Sequence, residues 1–228
     1  MLRSEYDKRK IDINKFFSIL RFIDGIETNV NNRLYNGVVS NNFSVNRKMQ
    51  QCLRAEFVLV LYNAIESTFS NCIYYVFDAI KDSGLKYEDL SDKLKKMWIK
   101  EKVHKNSSLD SFRTTLKTIA DNINNQNIEF QELPSDISGN LYMRKMATLS
   151  ENMGNNLGNI PNSTETGNIL LKIKNVRNDL AHGNETFSSV GANLTINDLE
   201  KYKNIVISFL DHIIQKYESF VADKKYKA

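Results

Sequence analysis

The longest helical pattern in the chain runs from about residue 45 to residue 81, where apolar residues recur every three or four positions. It stops at Asp82-Ser83-Gly84, and a glycine directly after the last apolar turn is typical of a helix C-terminus. A segment of this length is well above the average helix of a globular domain. We therefore predict that it forms the central helix of the fold.

Further segments with the same periodicity lie on both sides of this one. They cover about residues 4–28, 87–102, 109–122, 141–152 and 166–181, and a short loop then leads to a final helix from residue 195 onward. Thr164 or Thr166 is expected to cap the helix at 166–181, and Gly183 is expected to close it. The polar stretches 29–44, 122–138 and 154–162 are predicted to be loops, with a short extended piece at 128–130.

Composition supports a helical protein. The 228 residues include nine glycines and two prolines, too few for an all-β fold with a turn about every ten residues. The apolar share of 41% and the charged share of 25% are typical of a folded globular chain. We predict an all-α helical bundle with a long central helix and a C-terminal helix pair. No repeat or linker divides the chain, so one domain over residues 1–228 is expected, with 85–165 as an insert within it.

The sequence gives no strong indication of a membrane-spanning segment, a signal peptide or a disulfide. The longest apolar run, residues 57–62, is far shorter than the ~20 residues of a membrane-spanning helix, and the first residues lack the apolar region of a signal peptide. Cys52 and Cys72 are separated by about 30 Å of predicted helix, so they cannot form a disulfide with each other there. These features predict a cytoplasmic protein with reduced thiols and no membrane contact.

Charge and motif content narrow the chemistry. The net charge of +4 and the pI near 8.9 are compatible with an anionic partner without requiring one. The histidines and cysteines lack the spacing of metal ligands, and no phosphate-binding loop, dinucleotide fingerprint or nucleophile elbow is present. We therefore expect no metal and no cofactor. His104 and His212 are interpreted as surface histidines.

His182 differs from the other two histidines because of its neighbours. Asn178 lies four residues before it, so on a helix the two side chains share one face. Arg177 lies about 100° around the same helix, but its side chain is long enough to reach the patch. Lys172 and Lys174 extend this polar, positive face. An imidazole beside a guanidinium suits work on a phosphodiester, because one moves protons and the other binds phosphate oxygens.

A purely structural interpretation of the same residues stays open. A histidine in the last turn before a glycine interacts favourably with the helix dipole, and Arg177 and Asp179 can simply be solvated. Spacing alone does not decide between the two interpretations.

Residues 177–182 (RNDLAH) resemble the R-x4-H signature of the HEPN superfamily, all-helical domains of which many are metal-independent endoribonucleases. The surrounding sequence is similar to the MAE-type branch found in bacterial defence and conflict systems. The similar segments are 61–66 (LYNAIE), 138–141 (SGNL), 170–176 (LLKIKNV), 183–187 (GNETF) and 190–199 (VGANLTINDL). The resemblance covers most of the chain from about residue 45 onward.

This resemblance implies a HEPN-like fold in which Arg177 and His182 are catalytic and Asn178 and Asp179 support them. Members of the superfamily generally form dimers that combine two motifs in one composite active site. The implied reaction is RNA cleavage by attack of the 2′-hydroxyl, which leaves a 2′,3′-cyclic phosphate and a 5′-hydroxyl and requires no metal. The implied partners are an RNA substrate, a second copy of the chain, and an antitoxin or another protein of a defence system.

Four other residues are candidates for lesser roles. Asn63 and Glu66 are three apart and share a face of the central helix, where they either orient the motif or serve as structural polar residues. Lys172 and Lys174 are candidate RNA contacts.

Two positions depart from the related families. Asn184 stands where a related toxin branch carries a tyrosine that its antitoxin modifies, so that form of control is not supported. Tyr142 stands where the MAE-type branch often has an acidic residue. Two alternatives to a nuclease stay open. One is a non-catalytic HEPN-type module that binds RNA or protein, and the other is a helical interaction domain whose Arg–His pair only caps a helix.

Overall fold

The structure is a computed structural model. It describes residues 2–25, 33–35, 42–103, 113–117, 119–120, 123, 127–134, 137 and 139–228. In chain order the elements are α1 (Leu2–Asp24), β1 (Arg33–Tyr35), β2 (Asn42–Ser44), α2 (Arg47–Asp82), a 3₁₀ turn (Tyr87–Asp89), α3 (Asp92–Val103), α4 (Met143–Asn152), α5 (Ser163–Ala181), α6 (Phe187–Ala192) and α7 (Ile196–Ala222). The described residues between 113 and 120 are helical as well. The all-α class, the long central helix and the C-terminal helix pair are thereby confirmed.

The central helix α2 begins and ends on local hydrogen bonds. The Asn46 side chain accepts from the Met49 N–H at 2.9 Å, which satisfies one of the free donors of the first turn. At the other end, Gly84 adopts a positive φ of 60° and donates its N–H to the Lys81 carbonyl at 3.0 Å. A left-handed glycine that folds back on the last turn stops the helix where the sequence predicted.

The chain divides into two compact units. Residues 3–65 and 164–208 belong to the first, and residue 2, residues 66–163 and residues 209–228 belong to the second. The helices α2 and α7 each contribute residues to both units. The expectation of a single domain with an insert at 85–165 stays a prediction.

Aromatic packing and a half-buried arginine organise the first unit. Phe57 of α2 is fully buried, and its ring lies 5.8 Å from Phe16 and 5.3 Å from Phe17 of α1. Arg54 forms an ion pair with Asp24 at the end of α1 at 2.5 Å and donates to the Leu194 carbonyl at 2.8 Å. Its guanidinium therefore connects the end of α1 with the turn that precedes α7.

The second unit is organised by a different set of buried contacts. Trp98 of α3 is buried and donates its indole N–H to the Glu129 carbonyl at 3.3 Å. The buried hydroxyls of Ser150 and Tyr217 lie 2.9 Å apart. Residues 224–228 also belong to this unit, because the Ser91 N–H donates to the Tyr226 carbonyl at 3.0 Å. The basic end of the chain is therefore packed against the segment that begins α3.

Several predicted boundaries are wrong. The helix α5 begins at Ser163, so Thr164 and Thr166 lie within its first turns and do not cap it from outside. The short loop expected before the final helix contains α6, which a capping box at Thr186 begins. The stretch 29–44 contains the antiparallel strands β1 and β2. Residues 128–130 belong to no strand, although the Ile128 N–H donates to the Leu85 carbonyl at 2.8 Å. The expected last turn of α1 at 26–28 lies outside the described residues.

Substitution of Gly191 tests the close contact between α6 and α2. A Cβ atom at this position would lie 1.7 Å from the backbone oxygen of Gln51, a distance that only a shift of the backbone could relieve. We expect Gly191→Ala to lower the free energy of unfolding by about 2 kcal/mol or more, measured by urea denaturation. The matched control is Gly25→Ala, because the nearest atoms there lie 3.5 Å away or farther. Equal stability of the two variants would contradict the close approach of the two helices.

Candidate active site

The R-x4-H motif forms the last turns of α5, and backbone hydrogen bonds fix the point at which the helix ends. The Gly183 N–H donates to the Leu180 carbonyl at 3.3 Å, and the Asn184 N–H donates to the Asp179 carbonyl at 2.9 Å. This pair of bonds is a Schellman motif, in which the residue after the cap takes the left-handed conformation. Gly183 does so with a φ of 72°, as the sequence predicted. His182 is therefore the C-cap residue.

Arg177 lies against an aromatic ring of α2. Its guanidinium carbon is 5.2 Å from the ring centroid of Tyr62, which is fully buried. Its Nη1 donates to the Asn178 side-chain oxygen at 3.2 Å. Among the described residues, no carboxylate forms an ion pair with Arg177. This half-buried cation is therefore held by a ring and an amide, and its charge is not neutralised.

His182 and Asn178 are connected through the backbone. The His182 N–H donates to the Asn178 carbonyl at 2.9 Å, so the two residues occupy successive turns on one side of the helix. The imidazole of His182 is exposed, and no described side chain or backbone group forms a hydrogen bond with it. Asp179 is half-buried. The motif thus presents one solvent-facing imidazole at the helix end and, five residues earlier, an arginine that is held in place.

The two lysines lie farther back on the same helix. Lys172 is exposed, and its ammonium group lies 5.4 Å from the ring centroid of Tyr202 on α7. Lys174 is half-buried. Both therefore add positive charge to α5 before the motif, as the sequence indicated.

The apolar side of α5 is covered only in its first half. Ile169 and Ile173 are buried, whereas Val176 and Leu180 are half-buried. Leu171 is 40% exposed. Within the part of the chain that the structure describes, the helix turns that carry the motif thus keep apolar surface in contact with solvent.

Glu66 has a hydrogen-bond partner of its own. One of its carboxylate oxygens accepts from the Gly139 N–H at 2.7 Å, and Gly139 has a positive φ of 75°. Asn63, one turn earlier, is exposed. The carboxylate of Glu66 therefore fixes the loop before α4, and support of the motif by these two residues stays a prediction.

The remaining histidine and the cysteines have structural surroundings. The Nε2 atom of His212 lies 2.8 Å from the Leu157 carbonyl, so this half-buried ring fixes a loop, which spacing did not indicate. Cys52 and Cys72 are free thiols, and burial raises the pKa of the Cys72 thiol well above its usual range. Within the described residues, no group of histidine, cysteine and acidic side chains is arranged to hold a metal ion. His104 lies outside the described residues.

A pocket of about 480 Å³ lies between the first turns of α5 and α7. The Lys201 ammonium forms an ion pair with Glu165 at 2.5 Å, and this hydrogen bond raises the pKa of Lys201. Hydrogen bonds from the Thr195 hydroxyl and N–H lower the pKa of Asp198. Lys201 and Glu165 are thus paired with each other and Asp198 is bound by Thr195, so these charged groups are already engaged, in contrast to Arg177.

Sequence reasoning missed Tyr62 as the residue beneath Arg177. Residues 61–66 resemble the family segment, but Tyr62 lies on a different helix from Arg177. No rule of sequence spacing connects positions on two helices. The only available signal was an aromatic residue among the apolar positions of α2.

The fold and the motif together define a class, an all-α domain with an arginine and a histidine at the end of a helix. The comparison with family models identifies the family: the MAE_28990-like HEPN model matches residues 2–226. The chain therefore belongs to the HEPN family, which confirms the resemblance seen in the sequence. No curated protein and no solved structure matches the chain significantly. Among the described helices, none has both the length and the apolar content needed to cross a bilayer.

Substitution of Gly183 tests whether α5 ends on a left-handed residue. No atom lies within 4 Å of a Cβ built there, so substitution costs only the strain of the left-handed backbone. We expect Gly183→Ala to lower the free energy of unfolding by about 1 kcal/mol, and Gly183→Asn to cost less because asparagine tolerates this conformation better. Urea denaturation of the three proteins checks the order. An alanine variant as stable as the wild type would show that the helix does not end on a left-handed residue.

Proposed function

We propose that this protein is a metal-independent endoribonuclease that acts as a toxin or effector of a bacterial defence system. The observation that carries the proposal is the state of Arg177. A half-buried guanidinium that has no carboxylate partner among the described residues, in the same family motif as a histidine, is suited to bind an external anion. The family to which the chain belongs makes an RNA phosphodiester the best-supported anion.

In the proposed reaction, the ribose 2′-oxygen attacks the neighbouring phosphorus and the bond to the 5′-oxygen breaks. A neutral imidazole of His182 accepts the 2′-hydroxyl proton, or its protonated form donates a proton to the leaving 5′-oxygen. Arg177 donates to the non-bridging oxygens, where negative charge grows in the transition state. The products are a 2′,3′-cyclic phosphate and a 5′-hydroxyl.

The active site we propose is shared by two copies of the chain. Positions five apart on a helix point about 140° away from each other, so Arg177 and His182 of one motif diverge. Val176 and Leu180 keep apolar surface in contact with solvent beside the motif, which suits contact with a second copy. A two-fold axis there would bring two motifs together and supply the two proton-transfer groups that the reaction needs.

We infer supporting roles for residues other than Arg177 and His182 from their positions in the structure. Asn178 holds the guanidinium of Arg177, and Asp179 supplies the carbonyl that ends the helix. Lys172 and Lys174 extend the positive surface along which RNA would bind. Asn63 and Glu66 would act indirectly, through the central helix and the loop at Gly139.

The proposed partners are RNA, a second copy of the chain, and an antitoxin or another protein of the defence system. Asn184 gives no support to control by modification of a tyrosine at that position. A cytoplasmic location, where such a nuclease would meet RNA, stays a prediction.

A second candidate function is a binding module without catalysis. The observation that favours it is the ring of His182, which no described group orients by a hydrogen bond. Catalytic histidines are usually held in one tautomer by such a bond. A binding module would retain affinity for RNA and show no cleavage.

RNA cleavage tests the proposal directly. Purified protein is incubated in EDTA with end-labelled single-stranded RNA, beside the His182→Ala, Arg177→Ala and Arg177→Lys variants. We expect cyclic-phosphate ends from the wild type and rates at least about 100-fold lower for all three variants. Lysine should not rescue, because it lacks the planar donors of arginine.

The matched control is Lys8→Ala, which removes the same charge from an exposed position of α1. It should cleave like the wild type. RNA binding without cleavage by the wild type would favour the binding module. Undiminished cleavage by His182→Ala would refute the assigned role.

A mixing experiment tests the shared site. The inactive His182→Ala and Arg177→Ala proteins are combined so that their subunits exchange. If arginine and histidine come from different copies, mixed dimers contain an intact pair and the mixture regains part of the wild-type activity. Size-exclusion chromatography with light scattering confirms the dimer. A dimeric mixture that stays inactive would place both groups in one chain.

A further inference from the structure

We propose that Tyr62 is a positioning residue that orients the Arg177 guanidinium for phosphate. Tyr62 lies on α2, its side chain is fully buried, and its ring centroid is 5.2 Å from the guanidinium carbon. The adjacent Leu61 and the nearby Ile65 are also buried, so the ring is set in packed core. Its catalytic consequence rests on the proposed function, whereas the contact itself does not.

A ring holds a cation in a way that suits anion binding. The contact is electrostatic and attractive, but it involves the face of the ring and uses no hydrogen-bond donor of the guanidinium. Of the arginine's five N–H groups, one on Nη1 is used by Asn178. The described residues provide no acceptor for the others. The guanidinium thus keeps both its charge and most of its donors for a ligand.

A second half-buried arginine of the same unit shows the structural alternative. Arg54 is paired with the Asp24 carboxylate and donates to the Leu194 carbonyl. Its charge is neutralised and its donors are engaged within the chain. Arg177 has the opposite arrangement, because an aromatic ring stands where a structural arginine has a carboxylate.

Holding the side chain in advance also lowers the entropic cost of binding. A free arginine side chain loses considerable rotamer freedom when it is fixed. Contact with Tyr62 and Asn178 removes part of this freedom before the substrate arrives. Without the ring, Arg177 would be fixed only when it binds phosphate, and its donors would be less well aligned with the transition state.

The experiment removes the aromatic ring of Tyr62 and fills its volume with another apolar side chain. Tyr62→Phe keeps the ring, whereas Tyr62→Leu and Tyr62→Met remove it, methionine being the second choice if leucine does not fold. The control is Tyr6→Leu, because Tyr6 is also a buried tyrosine of the first unit with a lysine, Lys10, over its ring. All variants are compared under conditions in which urea denaturation shows them fully folded.

The first readout needs no catalysis. The NMR signal of the Arg177 Nε–H is recorded while inorganic phosphate is added. Loss of the ring should move this signal and weaken phosphate binding at Arg177 several-fold, while Tyr62→Phe and Tyr6→Leu leave both unchanged. If Tyr62→Leu and Tyr62→Met leave signal and affinity unchanged, or if Tyr6→Leu alters them equally, the proposal is overturned.

The second readout is RNA cleavage. Loss of the ring should lower kcat about tenfold or more with a smaller change in KM, and Tyr62→Phe should stay near the wild type. Arg177→Lys should cost less in the Tyr62→Leu background than in the wild type, because Tyr62 acts through Arg177. Additive effects would overturn the positioning role. A wild type that cuts no RNA refutes the nuclease but leaves the phosphate readout to decide on Tyr62.

Discussion

The burial of α2 is the constraint on which the rest of the structure depends. Apolar and aromatic side chains such as Phe57, Leu61, Tyr62 and Phe69 are buried along most of its length, and exposing them to water would be costly. In the first unit, two phenylalanine rings of α1 pack against Phe57 of α2, and Gly191 of α6 approaches the α2 backbone directly. The family motif is therefore built next to the most buried element of the fold.

The sequence could predict the helices because their signals are local. The apolar stripe of α2, the glycine at its end and the left-handed Gly183 are features of a few neighbouring residues, and the structure confirms them. The errors arose where a local signal has two meanings. Threonine is a common cap residue, which is why Thr164 and Thr166 were plausible caps. Asn162, however, has a left-handed φ of 47°, and the helix begins directly after it at Ser163. The helix α6 has only six residues, too few for a periodic pattern.

In the candidate site too, the local features could be predicted from the sequence and the long-range contacts could not. The positions of Arg177, Asn178 and His182 on one helix end followed from their spacing, because one helix has one geometry. The contact between Arg177 and Tyr62 joins two helices far apart in sequence, and packing alone determines it. Likewise, Glu66 was noted for its position on α2, but its partner Gly139 depends on a distant loop. Contacts of this kind require three-dimensional information.

The close approach at Gly191 has a consequence for the geometry of the motif. Arg177 touches α2 at Tyr62, and α6, which follows His182 after a few residues, touches α2 again at Gln51. The segment that carries the histidine is thus anchored to one rod both before and after it. The guanidinium and the imidazole of one chain are then both positioned relative to a single helix. Each copy of the chain can thus bring its half of a shared site to a dimer interface on one rigid reference.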